Sequence, residues 1–211
     1  MDLLKAIRER RTIRKFKPDD IESEPVRIMI DAARWAPSAA NKQPWEFIVI
    51  TKEETRKKIA DLYVKAYLKE AEELPNSKYA EEPYVDDVEK LREKIFRIKD
   101  RLRAELETPP VHIVVCADPS KSKSYIVDTA AAIQNMLLAA YSLNLGTAWI
   151  DISSTLLGEF FDKQALKDLL DIPEYIEAVA IIPVGYPDEK PPRPPRHYIR
   201  EIAHREKYQI V

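Results

Sequence analysis

Pro37-Ser38-Ala39-Ala40-Asn41-Lys42-Gln43-Pro44-Trp45-Glu46-Phe47 separates an amphipathic run, residues 26–35, from an apolar one, residues 45–50. Pro37 lacks an N–H and pushes the residue before it out of the α region, so a helix ends there. Pro44 sets the entry into a strand. Between them, Ser38, Asn41 and Gln43 offer groups that both donate and accept hydrogen bonds. Such a set suits a flat heterocycle with alternating N–H and C=O edges and a polyol chain. A capped helix-to-strand turn rich in turn formers accounts for the same residues equally well.

Toward the N-terminus, Asp2 caps a helix with Leu3, Leu4 and Ile7 as its apolar positions. It runs into Arg10-Arg11-Thr12-Ile13-Arg14-Lys15-Phe16, where β-branched Thr12 and Ile13 predict extended backbone. Extended backbone puts Arg10, Thr12 and Arg14 on one side, as an anion clamp. A solvated basic turn is the alternative. Ser23 precedes a helix with Pro25 in its first turn and Val26, Met29, Ile30 and Ala33 on one face.

Beyond the opening stretch, Ile59, Leu62, Tyr63, Ala66 and Tyr67 recur at helical spacing and read as core. Residues 70–84 are acidic and contain Pro75 and Pro83. Val85, Val88, Leu91, Ile95, Ile98 and Leu102 then mark a long amphipathic helix. Residues 68–106 are expected to form a helical insertion over the core, as a lid or part of a subunit interface, without a catalytic group. Residues 111–117 are a strand, with His112 structural and Cys116 a small buried hydrophobe. Residues 125–145, apolar on nearly every side, predict a buried central helix stopped by Gly146. Residues 147–152 and 177–185 read as strands, and Asp162 caps the helix between them. Residues 186–198 form a proline-dense arm with Arg193 and Arg196 three apart, on one face of a polyproline helix. Residues 208–211 are expected to add a strand, to a partner subunit.

The 211 residues suit one domain, 1–211, with a sizeable core; 45% are hydrophobic and 33% charged. A net charge of −2 gives no reason to expect nucleic acid. No apolar run approaches a membrane span, and no leader-like segment opens the chain, so a cytoplasmic protein without membrane association is expected. Three histidines and one cysteine lack metal-ligand spacing. No nucleophile elbow exists. With three glycines in all, no glycine-rich phosphate loop can be built. A phosphate-bearing cofactor would have to be held by side chains, arginine first, because its fork matches phosphate.

Three separated pieces thus stand in order: Arg-Arg-Thr-x-Arg, Pro-Ser-x-x-Asn-x-Gln-Pro-Trp, and an arginine-bearing arm after Val-Gly-Tyr-Pro. Together they resemble the nitroreductase family of FMN-dependent flavoproteins, over the whole chain. The resemblance implies an α+β fold, with a mixed central sheet flanked by helices, in an intertwined homodimer with an extended C-terminal arm and FMN at the subunit interface. It implies that Arg10 and Thr12 hold the phosphate and ribityl end, with Arg11 alongside and Arg14 near the pyrimidine edge. Pro37, Ser38, Ala39, Asn41 and Gln43 are then expected from the partner subunit, and Arg196, with Arg193, on the phosphate. Trp149 and Ile150 match, loosely, the stretch near the dimethylbenzene and N5 side. The implied activity is ping-pong transfer of electrons from NADH or NADPH, through tightly bound FMN, to nitroaromatics, quinones or similar small acceptors, with no obligate protein acid or base. A member specialised for reductive dehalogenation or flavin modification, and a non-catalytic flavin-binding dimer, are the alternatives.

Overall fold

Strand β2 (Val111–Ala117) is buried along its whole length. A strand alternates its side chains, so it serves two cores. Ile113 and Val115 pack with α2 (Ser23–Arg34) and α5 (Tyr125–Ser142), through Met29, Ala33, Ile133 and Met136. Val114 and Cys116 pack with α3 (Glu53–Glu73) and α4 (Val88–Glu107), through Ile59, Tyr63, Leu102 and Leu106. A strand buried on both faces has no polar side to alternate with, which is why this run reads as continuously apolar. The computed structural model describes residues 2–73 and 88–208.

The layers are therefore helix, sheet, helix: an α+β architecture. The strand order is β1 (Trp45–Ile50), β2, β5 (Glu177–Gly185), β3 (Gly146–Thr147), with β4 (Ile150–Asp151) also on β5. Every ladder is antiparallel. The parallel member is an isolated bridge between Thr12 and Thr147. Residues 147–152 do not form the continuous strand expected. Thr147 lies opposite Val184 and Ile150 opposite Ile181, so the register is kept while pairing lapses at Ala148 and Trp149.

Helix α1 (Leu3–Glu9) starts as expected, with Asp2 accepting from the Leu4 N–H. Two other termini differ from expectation. Ser23 is the first helical residue of α2 and Glu22 precedes it; Pro25 lies in the first turn. Helix α5 is stopped by Asn144 and not by Gly146: Asn144 takes the left-handed conformation at φ 61°, and the Leu145 N–H returns to the Ala140 carbonyl at 2.9 Å. Asparagine substitutes for glycine here because its short polar side chain tolerates that region. Nor is α5 covered all round, since Val127 is 71% exposed in the single chain.

Helices α6 (Leu156–Phe160), α7 (Lys163–Leu170) and α8 (Ile199–Ile202) follow along the chain. Asp162 caps α7 through the Ala165 N–H. The buried end of α4 would leave carbonyls unsatisfied. His112 Nε2 donates to the Leu106 carbonyl at 2.7 Å, and Arg56 donates to those of Glu107 and Pro109. The second half of α4 is thus built into the core. The first part of the expected strand at 208–211 lies in coil, and residues 209–211 are outside the described residues.

Candidate functional site

Gly146 and Gly185 face each other across β3 and β5. A Cβ on Gly146 would stand 2.9 Å from Ile13, and one on Gly185 2.8 Å from Phe16. The missing side chains make a flat seat on which the N-terminal segment lies. Backbone bonds then lace that segment to both ends of the seat. Ile13 N–H donates to Thr147 O, Lys17 N–H to Tyr186 O, and Asp188 N–H to Lys15 O, each at 2.9 Å. Glu189 accepts from the Arg14 and Lys15 N–H groups at 2.6 and 3.0 Å. The arginines of the two chain ends meet for this reason.

They meet at a cavity of about 680 Å³, a size suited to a cofactor. Arg10, Arg11, Ile13, Leu145, Gly146 and Arg193 are among its lining. Burial, then the neighbouring charges of Arg11 and Arg196, lower the Arg10 pKa from its ordinary value. The cavity's two carboxylates are engaged by groups other than the arginine side chains: Glu9 accepts from the Tyr141 hydroxyl at 2.9 Å, and Glu189 holds backbone. Arg11 donates to the carbonyls of Arg8 and Arg10, leaving its buried Nε without a partner. Like charges crowded together, with an orphaned donor among them, fit an anionic group such as a phosphate.

Thr12 is half-buried on its bridge to Thr147. Arg14 does not join Arg10 on a common face, as alternation predicted. Its Nε lies 3.6 Å from Glu105 on α4. The alternation fails because Arg10 still caps α1, so regular extension starts only after it.

The Pro37–Gln43 loop is elsewhere in the chain: none of its residues lines the cavity. Apart from half-buried Ser38, its residues are exposed. Ala40, Asn41 and Gln43 have φ of 49°, 55° and 46°. Left-handed non-glycine residues cost on the order of 1 kcal/mol or more each and persist only where the surroundings over-determine them. Here Ser38 Oγ accepts from Gln43 N–H, Gln43 Nε2 donates to Asn41 Oδ1, and buried Asp128 accepts from Ala39 N–H at 3.0 Å. The other Asp128 oxygen takes the Ser122 hydroxyl at 2.7 Å. Asp128 went unnoticed in the sequence; the available signal was a carboxylate in the first turn of an otherwise apolar helix.

Trp149 is 37% exposed beside the β3–β4 line, whereas Ile150 sends its side chain into the core and leaves only its backbone. Among the described residues no group of three or more histidine, cysteine, aspartate or glutamate side chains is placed to hold a metal ion, and no helix is long and apolar enough to cross a membrane.

The nitroreductase family profile matches residues 7–186, from α1 through the end of β5 into the arm. The chain belongs to the nitroreductase family. It is 31% identical over 195 residues to the "Putative NADH dehydrogenase/NAD(P)H nitroreductase" of Methanothermobacter thermautotrophicus, covering 90% of this chain and 80% of that protein. It is 27% identical over 188 residues to iodotyrosine deiodinase 1 of Mus musculus, covering 86% of this chain and 60% of that one. The fold matches that of oxidized iodotyrosine deiodinase bound to FMN and 3-iodo-L-tyrosine, with a TM-score of 0.74, 22% identity, and coverage of 98% of this chain and all of that one. This nitroreductase-family chain is thus an oxidoreductase by membership, with its arginines gathered where the two chain ends meet.

Proposed function

We propose that the chain binds FMN in the arginine cavity and, as a homodimer, passes electrons from NADH or NADPH to a small acceptor such as a nitroaromatic or quinone. The observation that carries this is the convergence of Arg10, Arg11 and Arg193 on one cavity, with Arg196 close enough to depress Arg10. Bound FMN would supply hydride acceptance and two-electron transfer, chemistry no side chain has. Arg10, Arg11, Arg193 and Arg196 would hold its phosphate, and Thr12 its ribityl end. Ile13, Leu145 and the prolines of the arm give the rest of the cavity an apolar lining. Arg14 would place positive charge toward the pyrimidine edge, a preorganised electrostatic role.

The separation of the Pro37–Gln43 loop from the cavity supports the homodimer. Within one chain its Ser38, Asn41 and Gln43 lie outside the arginine cavity; across a two-fold axis the same loop would reach the partner's. The similarity to iodotyrosine deiodinase 1 favours halogenated phenols as a second acceptor class.

The test is the purified protein's absorption spectrum, FMN release on heating, and anaerobic bleaching by NADH or NADPH, followed by reoxidation with nitroaromatics, quinones and halophenols. A protein that cannot be loaded with FMN refutes the reading. A loaded protein that neither nucleotide bleaches refutes the electron donor.

A further inference from the structure

Arg14 is the one arginine of the N-terminal segment that turns away from the others, and what it turns to is unusual. Glu105, on the last turns of α4, is 4% exposed. Its Oε2 lies 3.6 Å from Arg14 Nε and 3.5 Å from the Tyr63 hydroxyl; its Oε1 lies 3.8 Å from Arg101 Nε. Each of these contacts is longer than a good charge-assisted hydrogen bond. Tyr67 and Glu189 are further titratable groups that act on it. Burial makes ionising Glu105 unfavourable and raises its pKa, and Arg14 pulls it back. The Arg14 side chain is itself 57% exposed, so it has no need of a buried partner for its own solvation. A stabilising ion pair would be made with short bonds or left at the surface.

The backbone of Arg14 is already fixed, by Glu189 on its own N–H and by the Ile13–Thr147 bond before it. Only the side chain is left to place. We infer that Glu105 is a positioning residue, holding the Arg14 guanidinium against α4 beside the cavity-lining Ile13 and offsetting part of its charge. This rests on the FMN reading above for its redox consequence, but not for the tether itself.

Two substitutions separate tether from charge. Glu105→Gln keeps an oxygen for Arg14 and Tyr63 and removes the charge; Glu105→Ala removes both. In FMN-free protein, side-chain nitrogen-edited NMR reads the exchange of the Arg14 Nε–H with solvent. It should exchange at least tenfold faster in Glu105→Ala than in wild type, and slow again in Glu105→Gln. Equal rates in all three overturn the tether. In FMN-loaded protein, Glu105→Gln should raise the two-electron midpoint potential by about 30 mV, a tenfold shift in that equilibrium. The same substitution should do nothing in an Arg14→Ala background, where the guanidinium through which Glu105 acts is gone. An unchanged potential in Glu105→Gln, or an equal rise with Arg14 absent, overturns the charge role. A wild-type chain that takes up no FMN defeats the functional reading and the redox half of this one, while the exchange rates still decide the tether.

Discussion

His112 offers the clearest quantitative test of the fold. It is fully buried on β2, with Nε2 donating 2.7 Å to the Leu106 carbonyl and Nδ1 unpartnered. A carbonyl can only accept, so Nε2 carries a proton, and the buried Nδ1, with no acceptor to meet a second N–H, leaves the ring neutral. Burial pushes its pKa from 6.5 down to about 3. The folded state therefore binds a proton less readily than the unfolded state. The resulting contribution is intact above pH 6.5 and is lost as pH falls toward 3. At pH 5 the unfolded ring is about 1.5 pH units past half-protonation and the folded ring is still neutral, so at ~1.36 kcal/mol per unit folding loses about 2 kcal/mol relative to pH 7. Burial raises the pKa of Glu105, which acts with the opposite sign, so the wild-type curve alone does not isolate His112. The difference between wild type and His112→Gln does. Urea denaturation at matched FMN occupancy, from pH 7 to 5, should show the wild type losing about 2 kcal/mol more than the variant. Parallel curves would refute the neutral, buried assignment.

Arg10→Ala and Arg193→Ala should each weaken FMN retention about ten- to hundredfold, the worth of a hydrogen bond to a charged group, by flavin fluorescence titration. For Arg10 the melting temperature of FMN-free protein should hold or rise, because like-charge crowding with Arg11 and Arg196 is relieved. Gly146→Ala places a methyl 2.9 Å from Ile13. It should cost about 1–3 kcal/mol by overpacking and, by lifting the segment that carries Arg10 and Arg11, also weaken FMN retention. Asp128→Ala frees the Ala39 N–H and the Ser122 hydroxyl. It should cost about 1–3 kcal/mol in denaturant melts and increase amide exchange across residues 38–43, while Asp128→Asn restores most of both.

The sequence is informative about elements wherever one physical signal dominates. The apolar runs at 45–50, 111–117 and 177–185 are the long strands, and Asp2 and Asp162 are caps. It is less informative where a residue's reason lies across the fold. Gly146 reads locally as a helix stop, but its lack of a side chain answers to Ile13, far away in the chain; Asn144 does the local work. The alternation that put Arg14 beside Arg10 used the right period but counted it from a residue that still caps α1. Asp128, Glu105 and Glu189 carry no motif at all, since each acts on backbone or on a side chain from another element.

The same distinction explains how the site is assembled. Scarcity of glycine ruled out a phosphate loop, and that left arginines at opposite ends of the chain with no visible reason to meet. Two of the three glycines supply the reason, by clearing the place where the N-terminal segment crosses the sheet. Glycine here gathers the arginine cluster indirectly, through packing and not through backbone N–H groups. The arginine cluster should therefore be more sensitive to Gly146→Ala than to Gly158→Ala. Gly158 lies in α6, where an added Cβ would meet the backbone of Ile152, on the side of the sheet served by α3 and α4. Both substitutions overpack and should lower stability. Only the first should lower FMN affinity once the two are compared at equal fractions folded. Equal losses of affinity would mean that the arginines are gathered by something other than the glycine seat.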